Sequence, residues 1–362
     1  MEDPIPHWPG EFIDLGGRQV HVRTTPAGPR ENAVYVHGLA GSATNWTDLM
    51  GELGDQVRGH ALDLPGAGFS PAPADGDYSV AANAETVAAM IEHTGAPAHL
   101  LGHSLGGAVA VRVAATRPEL VRTLTLVSPA LPDLLPRYGP AWIALSAALR
   151  LDEWAAGRMS RLPAERRVQA SMAMCYADLT RVHPQRLRDA VEEMRRRDGL
   201  PYAAPAMVRS ARAIVAEYFR RGDAGLWRLA ARIAAPTLVV HGRRDRLVDP
   251  RMAARAGRTF PDVRLVLLPG AGHVAQMEFP ITVARHVRAL LLETADRESG
   301  RSPASGPAME PALEPVTEPV TEPVTEPVTE PVTEPVTEPV TEPVSGTAGR
   351  SAPARRNAPA FG

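Results

Sequence analysis

The sequence predicts an α/β fold built on a mostly parallel sheet with helices on both faces, and three observations carry that expectation. Short apolar runs of strand length recur through the first 128 residues and again near residues 240 and 265, separated by stretches with helical spacing. Parallel strands joined by crossover helices produce this alternation. The alternation stops between residues 129 and 232, where helix-compatible stretches follow one another, and it ends after about residue 296, where Pro, Ser, Gly and Ala take over.

Residues 11–24 read as a hairpin around Gly16 and Gly17, which supply the positive φ that a tight turn requires. Residues 33–36 are an apolar run that breaks into glycines before a helical stretch at 45–53. Strand-like runs at 59–64, 98–102 and 121–128 then alternate with helix-like ones at 80–93 and 105–115. Beyond the interruption, 237–241 and 263–267 read as strands, and 251–259 and 281–294 as helices. Inside it, 142–149, 186–196 and 207–219 are helix-compatible. The expected organisation is a catalytic domain over 1–296 with a helical lid inserted at 129–232, then a tail over 297–362.

From residue 314 to 344 the tetrad Glu-Pro-Val-Thr recurs without variation. Proline at every fourth position denies helix and sheet their donors, and one carboxylate per tetrad keeps the segment solvated. An extended, disordered tail is expected, reaching roughly 100 Å if wholly polyproline-like at ~3.1 Å per residue.

The 362 residues, 44% of them hydrophobic, suffice for a substantial core. A net charge of -2 points neither to nucleic acid nor to a strongly acidic partner. The inserted segment carries 18 Arg against 11 Asp and Glu, which linear sequence does not assign to one face. Cys175 is the single cysteine, so an intramolecular disulfide and a cysteine-based zinc site are excluded, and a buried thiol is expected. No run approaches the ~20 apolar residues of a membrane span, and the first ten residues lack a signal-peptide core. A cytoplasmic location is the expectation.

The chemistry gathers at strand ends. Gly102-His103-Ser104-Leu105-Gly106-Gly107 lies between the run ending in Leu101 and a helix of small residues. A serine there occupies a cramped strand-to-helix turn, with glycines leaving room for close backbone packing and Oγ pushed out at the carboxyl end of the sheet. The helix start offers the Leu105 N–H to a developing oxyanion. His37-Gly38-Leu39-Ala40-Gly41-Ser42, after another strand, offers the Leu39 N–H as a second donor, with His37 ordering the loop. A nucleophilic serine needs a base, and the base an orienting carboxylate. His273 follows a strand in the glycine loop Leu268-Pro269-Gly270-Ala271-Gly272, and Asp245 follows another in His241-Gly242-Arg243-Arg244-Asp245. Asp133 is the competing acid, and His103 is expected to hydrogen-bond locally.

With these motifs together, residues 12–292 resemble the α/β-hydrolase superfamily. The loop Asp63-Leu64-Pro65-Gly66-Ala67-Gly68-Phe69-Ser70 and the segment Gln276-Met277-Glu278-Phe279-Pro280 fit the same group. The resemblance implies an eight-stranded, mostly parallel sheet with the helical cap after the sixth strand. Haloalkane dehalogenases and epoxide hydrolases of this superfamily carry Asp where this chain has Ser104, which argues against both chemistries.

The expected activity is hydrolysis of a carboxylic ester with a small, moderately apolar acyl group through Ser104, His273 and Asp245. The alternatives are carbon-carbon hydrolysis of the meta-cleavage type, thioester hydrolysis, cofactor-free perhydrolysis and a catalytically silent binding module. No metal or organic cofactor is called for, and the expected partner is a small-molecule substrate. Trp142, Leu145, Leu149, Met172, Met174 and Tyr218 are candidates for the pocket wall.

Overall fold

The structure, a computed structural model, describes residues 4–26, 28, 31–133, 157–158 and 161–300. The candidate pocket residues Trp142, Leu145 and Leu149, the predicted helix over 142–149 and the whole Glu-Pro-Val-Thr repeat lie outside the described residues.

Eight strands form one sheet: β1 Gly10–Asp14, β2 Gln19–Thr24, β3 Asn32–Val36, β4 Arg58–Leu62, β5 Ala98–His103, β6 Val121–Val127, β7 Thr237–Gly242 and β8 Val263–Leu268. Their spatial order is β1-β2-β4-β3-β5-β6-β7-β8. The first two pairings, β1 with β2 and β2 with β4, are antiparallel, and the pairings from β4 across to β8 are parallel. This is the eight-stranded, mostly parallel sheet expected from the sequence. Every residue of β5 and β7 is buried, because both faces of a central parallel strand are covered by helices. Their near-continuous apolar runs follow from that position.

The helices are α1 Thr47–Glu52, α2 Val80–Thr94, α3 Leu105–Thr116, α4 Ala164–Cys175, α5 Pro184–Asp198, α6 Ala203–Phe219, α7 Leu226–Ala230, α8 Arg251–Thr259, α9 Ala275–Glu278 and α10 Pro280–Glu298. Ser79 starts α2 by accepting the Ala82 N–H at 3.1 Å, and Gly95 ends it at φ 109°, a conformation that favours glycine. Two apolar clusters lie on opposite faces of the sheet. One joins α2 and α3 to Leu100, Leu124 and Val239; the other joins α1 and α10 to Tyr35, Leu101, Val127 and Val240. Helix α10 runs two residues past the expected domain limit at 296, and Arg122 on β6 pairs with Glu298 at its end.

Between β6 and β7 the described chain carries α4 to α7 and no strand. Helix α5 is fastened across two loops of the sheet. Arg186 bonds Asp48 at 2.5 Å and the Ile5 carbonyl at 2.8 Å, Ser42 Oγ donates to Glu193 at 2.9 Å, and Arg197 donates to the Ala40 carbonyl at 3.0 Å. Arg196 donates to the Gly68 carbonyl and lies over the Phe69 ring. No described helix is long and apolar enough to cross a membrane.

Candidate active site

Ser104 sits between β5 and α3 at φ 51° and ψ −114°, a left-handed conformation that costs a non-glycine residue energy and persists only where the surroundings impose it. The surroundings here are backbone. The Ser104 N–H donates to Val127 at 3.0 Å, and its carbonyl accepts from Gly107, Ala108 and Ala130 at 2.9, 3.2 and 2.9 Å. The flanking glycines are required by space: a Cβ on Gly102 would lie 2.4 Å from the Gly106 carbonyl oxygen, and one on Gly106 would lie 2.2 Å from that of Val36. The turn is therefore as cramped as the motif predicts.

His273 follows β8 and Asp245 follows β7, the neighbouring strand. His273 Nδ1 lies 2.9 Å from Asp245 Oδ2, and both residues are buried. The carboxylate that stands at His273 Nδ1 is that of Asp245, the first of the two acids expected. Asp245 Oδ1 accepts the Leu247 and Val248 N–H groups at 2.8 and 2.9 Å, and His241 Nε2 stands 3.3 Å from Oδ2. Burial pushes the Asp245 carboxyl up, but His273 and His241 outweigh it and hold the group well below the usual carboxylate range. An ionised Asp245 takes the Nδ1–H of His273, which leaves the Nε2 lone pair free. Among the described residues, no hydrogen bond joins His273 Nε2 to Ser104 Oγ.

His103 packs against His273 with ring centroids 4.8 Å apart, and its Nε2–H donates to the His273 carbonyl at 3.0 Å. Burial, reinforced by the His273 ring, pushes its pKa down to about 3. It is a neutral donor that braces the loop, as the local role expected of it requires.

Leu39 and Leu105 line one cavity, with Gly38, Leu64, Arg197, Met207 and Ser210 among the other residues of its wall. Among the described residues, neither the Leu39 N–H nor the Leu105 N–H has a protein acceptor. Gly38 closes directly on the serine, since a Cβ there would stand 3.0 Å from Ser104 Cβ and 2.8 Å from His103 Nδ1. The first loop is held in place by its neighbours. His37 donates from Nδ1 to the Gly38 carbonyl at 2.7 Å and accepts the Leu64 N–H on Nε2 at 3.0 Å, while burial pushes its pKa down. Asp63 accepts the Ala43 and Phe69 N–H groups at 2.6 and 2.9 Å and pairs with His21 at 2.8 Å, joining both loops to β2.

Three sequence expectations need correction or extension. Among the described residues, Met172, Met174 and Tyr218 are not in the wall of this cavity, to which the insertion contributes Arg197 of α5 and Ala206, Met207 and Ser210 of α6; Met174 is 46% exposed. Cys175 is half-buried rather than fully buried, and burial pushes its thiol up to about 11, far from a thiolate. Glu278 and His241 both reach the Asp245–His273 pair or its loop, and residue spacing alone gave no role to either.

The family model of the alpha/beta hydrolase fold matches residues 34–280, which include the serine, the acid and the histidine. The chain belongs to the α/β-hydrolase family. An esterase of Mycobacterium tuberculosis is 30% identical over 268 residues, covering 73% of this chain and 84% of that protein. A dihydrolipoyllysine-residue acetyltransferase component of an acetoin cleaving system, from Pseudomonas putida, is 33% identical over 263 residues and 71% of this chain. The chain spans 62% of that relative's length. A meta-cleavage product hydrolase from Pseudomonas fluorescens is similar in fold, with a TM-score of 0.62, 20% identity, and coverage of 78% of this chain and 98% of that one.

Proposed function

We propose that this α/β-hydrolase cleaves carboxylic esters of small, moderately apolar substrates by acyl transfer to Ser104. One observation carries the proposal: Asp245 and His273 are bonded at 2.9 Å after β7 and β8, on the carboxyl side of the parallel sheet from which Ser104, at φ 51°, also leaves at the end of β5. His273 takes the Ser104 proton as Oγ attacks the ester carbonyl, and Asp245 stabilises the imidazolium without accepting the proton. The oxyanion is received by the N–H groups of Leu39 and Leu105, each of which is worth ~10² to 10³ in rate at such sites. His273 returns the proton to the departing alcohol, then activates the water that releases the acid.

In this reading the insertion is a lid. Helix α5 is fastened over the loops that carry Leu39 and Phe69, and Met207 and Ser210 of α6 stand in the wall beside Leu39 and Leu105. Acyl chain length is selected there. The test is hydrolysis of p-nitrophenyl esters of increasing chain length by the wild-type protein and by Ser104→Ala. A wild-type rate on short esters that Ser104→Ala lacks supports the proposal; equal rates for the two proteins contradict it.

A further inference from the structure

Glu278 ends α9, five residues after His273, and has no part in the acyl transfer proposed above. It is buried, with 5% of its surface exposed, and three backbone N–H groups point at its carboxylate. Gly272 donates to Oε2 at 2.6 Å, and Ala177 and Asp178 donate to Oε1 at 2.8 and 3.4 Å. Gly272 immediately precedes His273; Ala177 and Asp178 follow α4 in the inserted subdomain. One side chain therefore joins the backbone of the base loop to the backbone of the insertion.

The seam around it is closed on both sides. The His273 N–H itself donates to the Cys175 carbonyl at 2.7 Å, and Arg246 donates to the Ala173 carbonyl. A Cβ on Gly272 would stand 2.5 Å from the Cys175 oxygen and 2.6 Å from the Ala177 nitrogen, so glycine is what lets the two backbones meet. The His273 N–H is thus satisfied across the seam by Cys175, and the Gly272 N–H by Glu278, which itself reaches across to Ala177 and Asp178. If residues 175–178 lifted away, the His273 N–H would lose its acceptor and Glu278 would lose two of its donors.

We infer that Glu278 is a positioning residue: by holding the Gly272 and Ala177 N–H groups at once, it makes the placement of His273 depend on the seating of residues 175–178 of the insertion. Insertion and base are then coupled through this seam. The inference rests on His273 being the base.

The experiment measures pre-steady-state acylation of the full-length protein by p-nitrophenyl acetate, together with steady-state kcat and KM, in wild type, Glu278→Gln, Ala177→Pro and Ser104→Ala. Glutamine keeps the shape of Glu278 but turns an NH2 group against one of its N–H donors. Proline at 177 deletes the nearer of the two donors to Oε1 while sparing the Gly272 bond, and Tyr176, at φ −86° and ψ 141°, already has the extended conformation required before proline. Both Glu278→Gln and Ala177→Pro are expected to slow acylation about tenfold or more with KM nearly unchanged, since small misplacement of a base costs up to ~10²-fold. An acylation rate like that of wild type in either variant, or a change confined to KM, overturns the inference. Should the variants not fold, amide exchange of the wild type decides: Gly272, His273 and Ala177 must open together, and markedly lower protection of Ala177 overturns the inference. A wild-type protein without a Ser104-dependent burst removes the serine-hydrolase reading itself, and this inference with it.

Discussion

Asp245 Oδ2 lies 2.9 Å from His273 Nδ1, although 27 residues, with α8 and β8 among them, separate the two in the chain. The parallel sheet brings them together. Strands β7 and β8 are neighbours running the same way, so the loops that leave them stand side by side at the carboxyl edge, where open α/β sheets bind ligands.

Asp245→Asn is the variant that probes this pair. It keeps the shape but offers the imidazole an NH2 group or a neutral oxygen in place of a carboxylate, so kcat should fall by about 10⁴. Asp133→Asn should leave kcat close to wild type. A severe loss in Asp133→Asn with Asp245→Asn active would reassign the acid.

Glycine substitutions separate folding from catalysis. Gly106→Ala places a methyl 2.2 Å from the Val36 carbonyl oxygen, a backbone atom that cannot retreat, and little folded protein should be recovered. Gly38→Ala meets His103 Nδ1 at 2.8 Å and Ser104 Cβ at 3.0 Å. It should fold and lose about 10- to 100-fold in kcat through displacement of the nucleophile. Circular dichroism and ester kinetics read the two outcomes.

Met207→Ala should change the ranking of kcat/KM among acyl chain lengths, since Met207 shares a cavity wall with Leu39 and Leu105. Loss of its side chain opens room for a longer acyl group, with an expected shift of about 1–3 kcal/mol between chains differing by one or two methylenes. An unchanged ranking would remove α6 from the specificity-determining wall.

Stability should fall on mild acidification. Burial pushes the pKa of His103 down to about 3 and that of His60 down to about 4, and also lowers those of His37 and His99. The unfolded chain binds these protons near its ordinary histidine value of about 6.5, so the stabilisation is complete above that pH and is lost as pH drops toward the folded values. Melting temperature should decline steadily from about pH 6.5 to 4, and His103→Gln should make that decline shallower. A flat profile over this range contradicts the assignment of neutral buried histidines.

The strands were legible because a buried parallel strand has to be a short apolar run, and the meeting of Asp245 with His273 because each stands in the loop that leaves one. The helix boundaries near residues 45 and 294 were less so: a 3-10 turn at Ala43–Trp46 precedes α1, and α10 continues to Glu298. Glu278 was visible only as part of a segment that fits the family. Its partners are backbone N–H groups, one of them 101 residues away, and a backbone donor leaves no mark in residue type. The same holds for Asp63, whose bonds to Ala43 and Phe69 order the loop around Leu39. Which residues of the insertion line the cavity was not legible, because apolar helix positions look alike whether they face the sheet, the solvent or a cavity.

Reaction with a fluorophosphonate followed by peptide mass spectrometry tests the central claim most directly, because the probe modifies a serine only where a base activates it. One equivalent of probe should attach to Ser104 in the wild-type protein. Attachment should vanish in Ser104→Ala and slow by at least about 10³-fold in His273→Ala, whose triad no longer acts as a unit. Stoichiometric labelling of a different residue, or labelling of Ser104 at an undiminished rate in His273→Ala, would contradict the account.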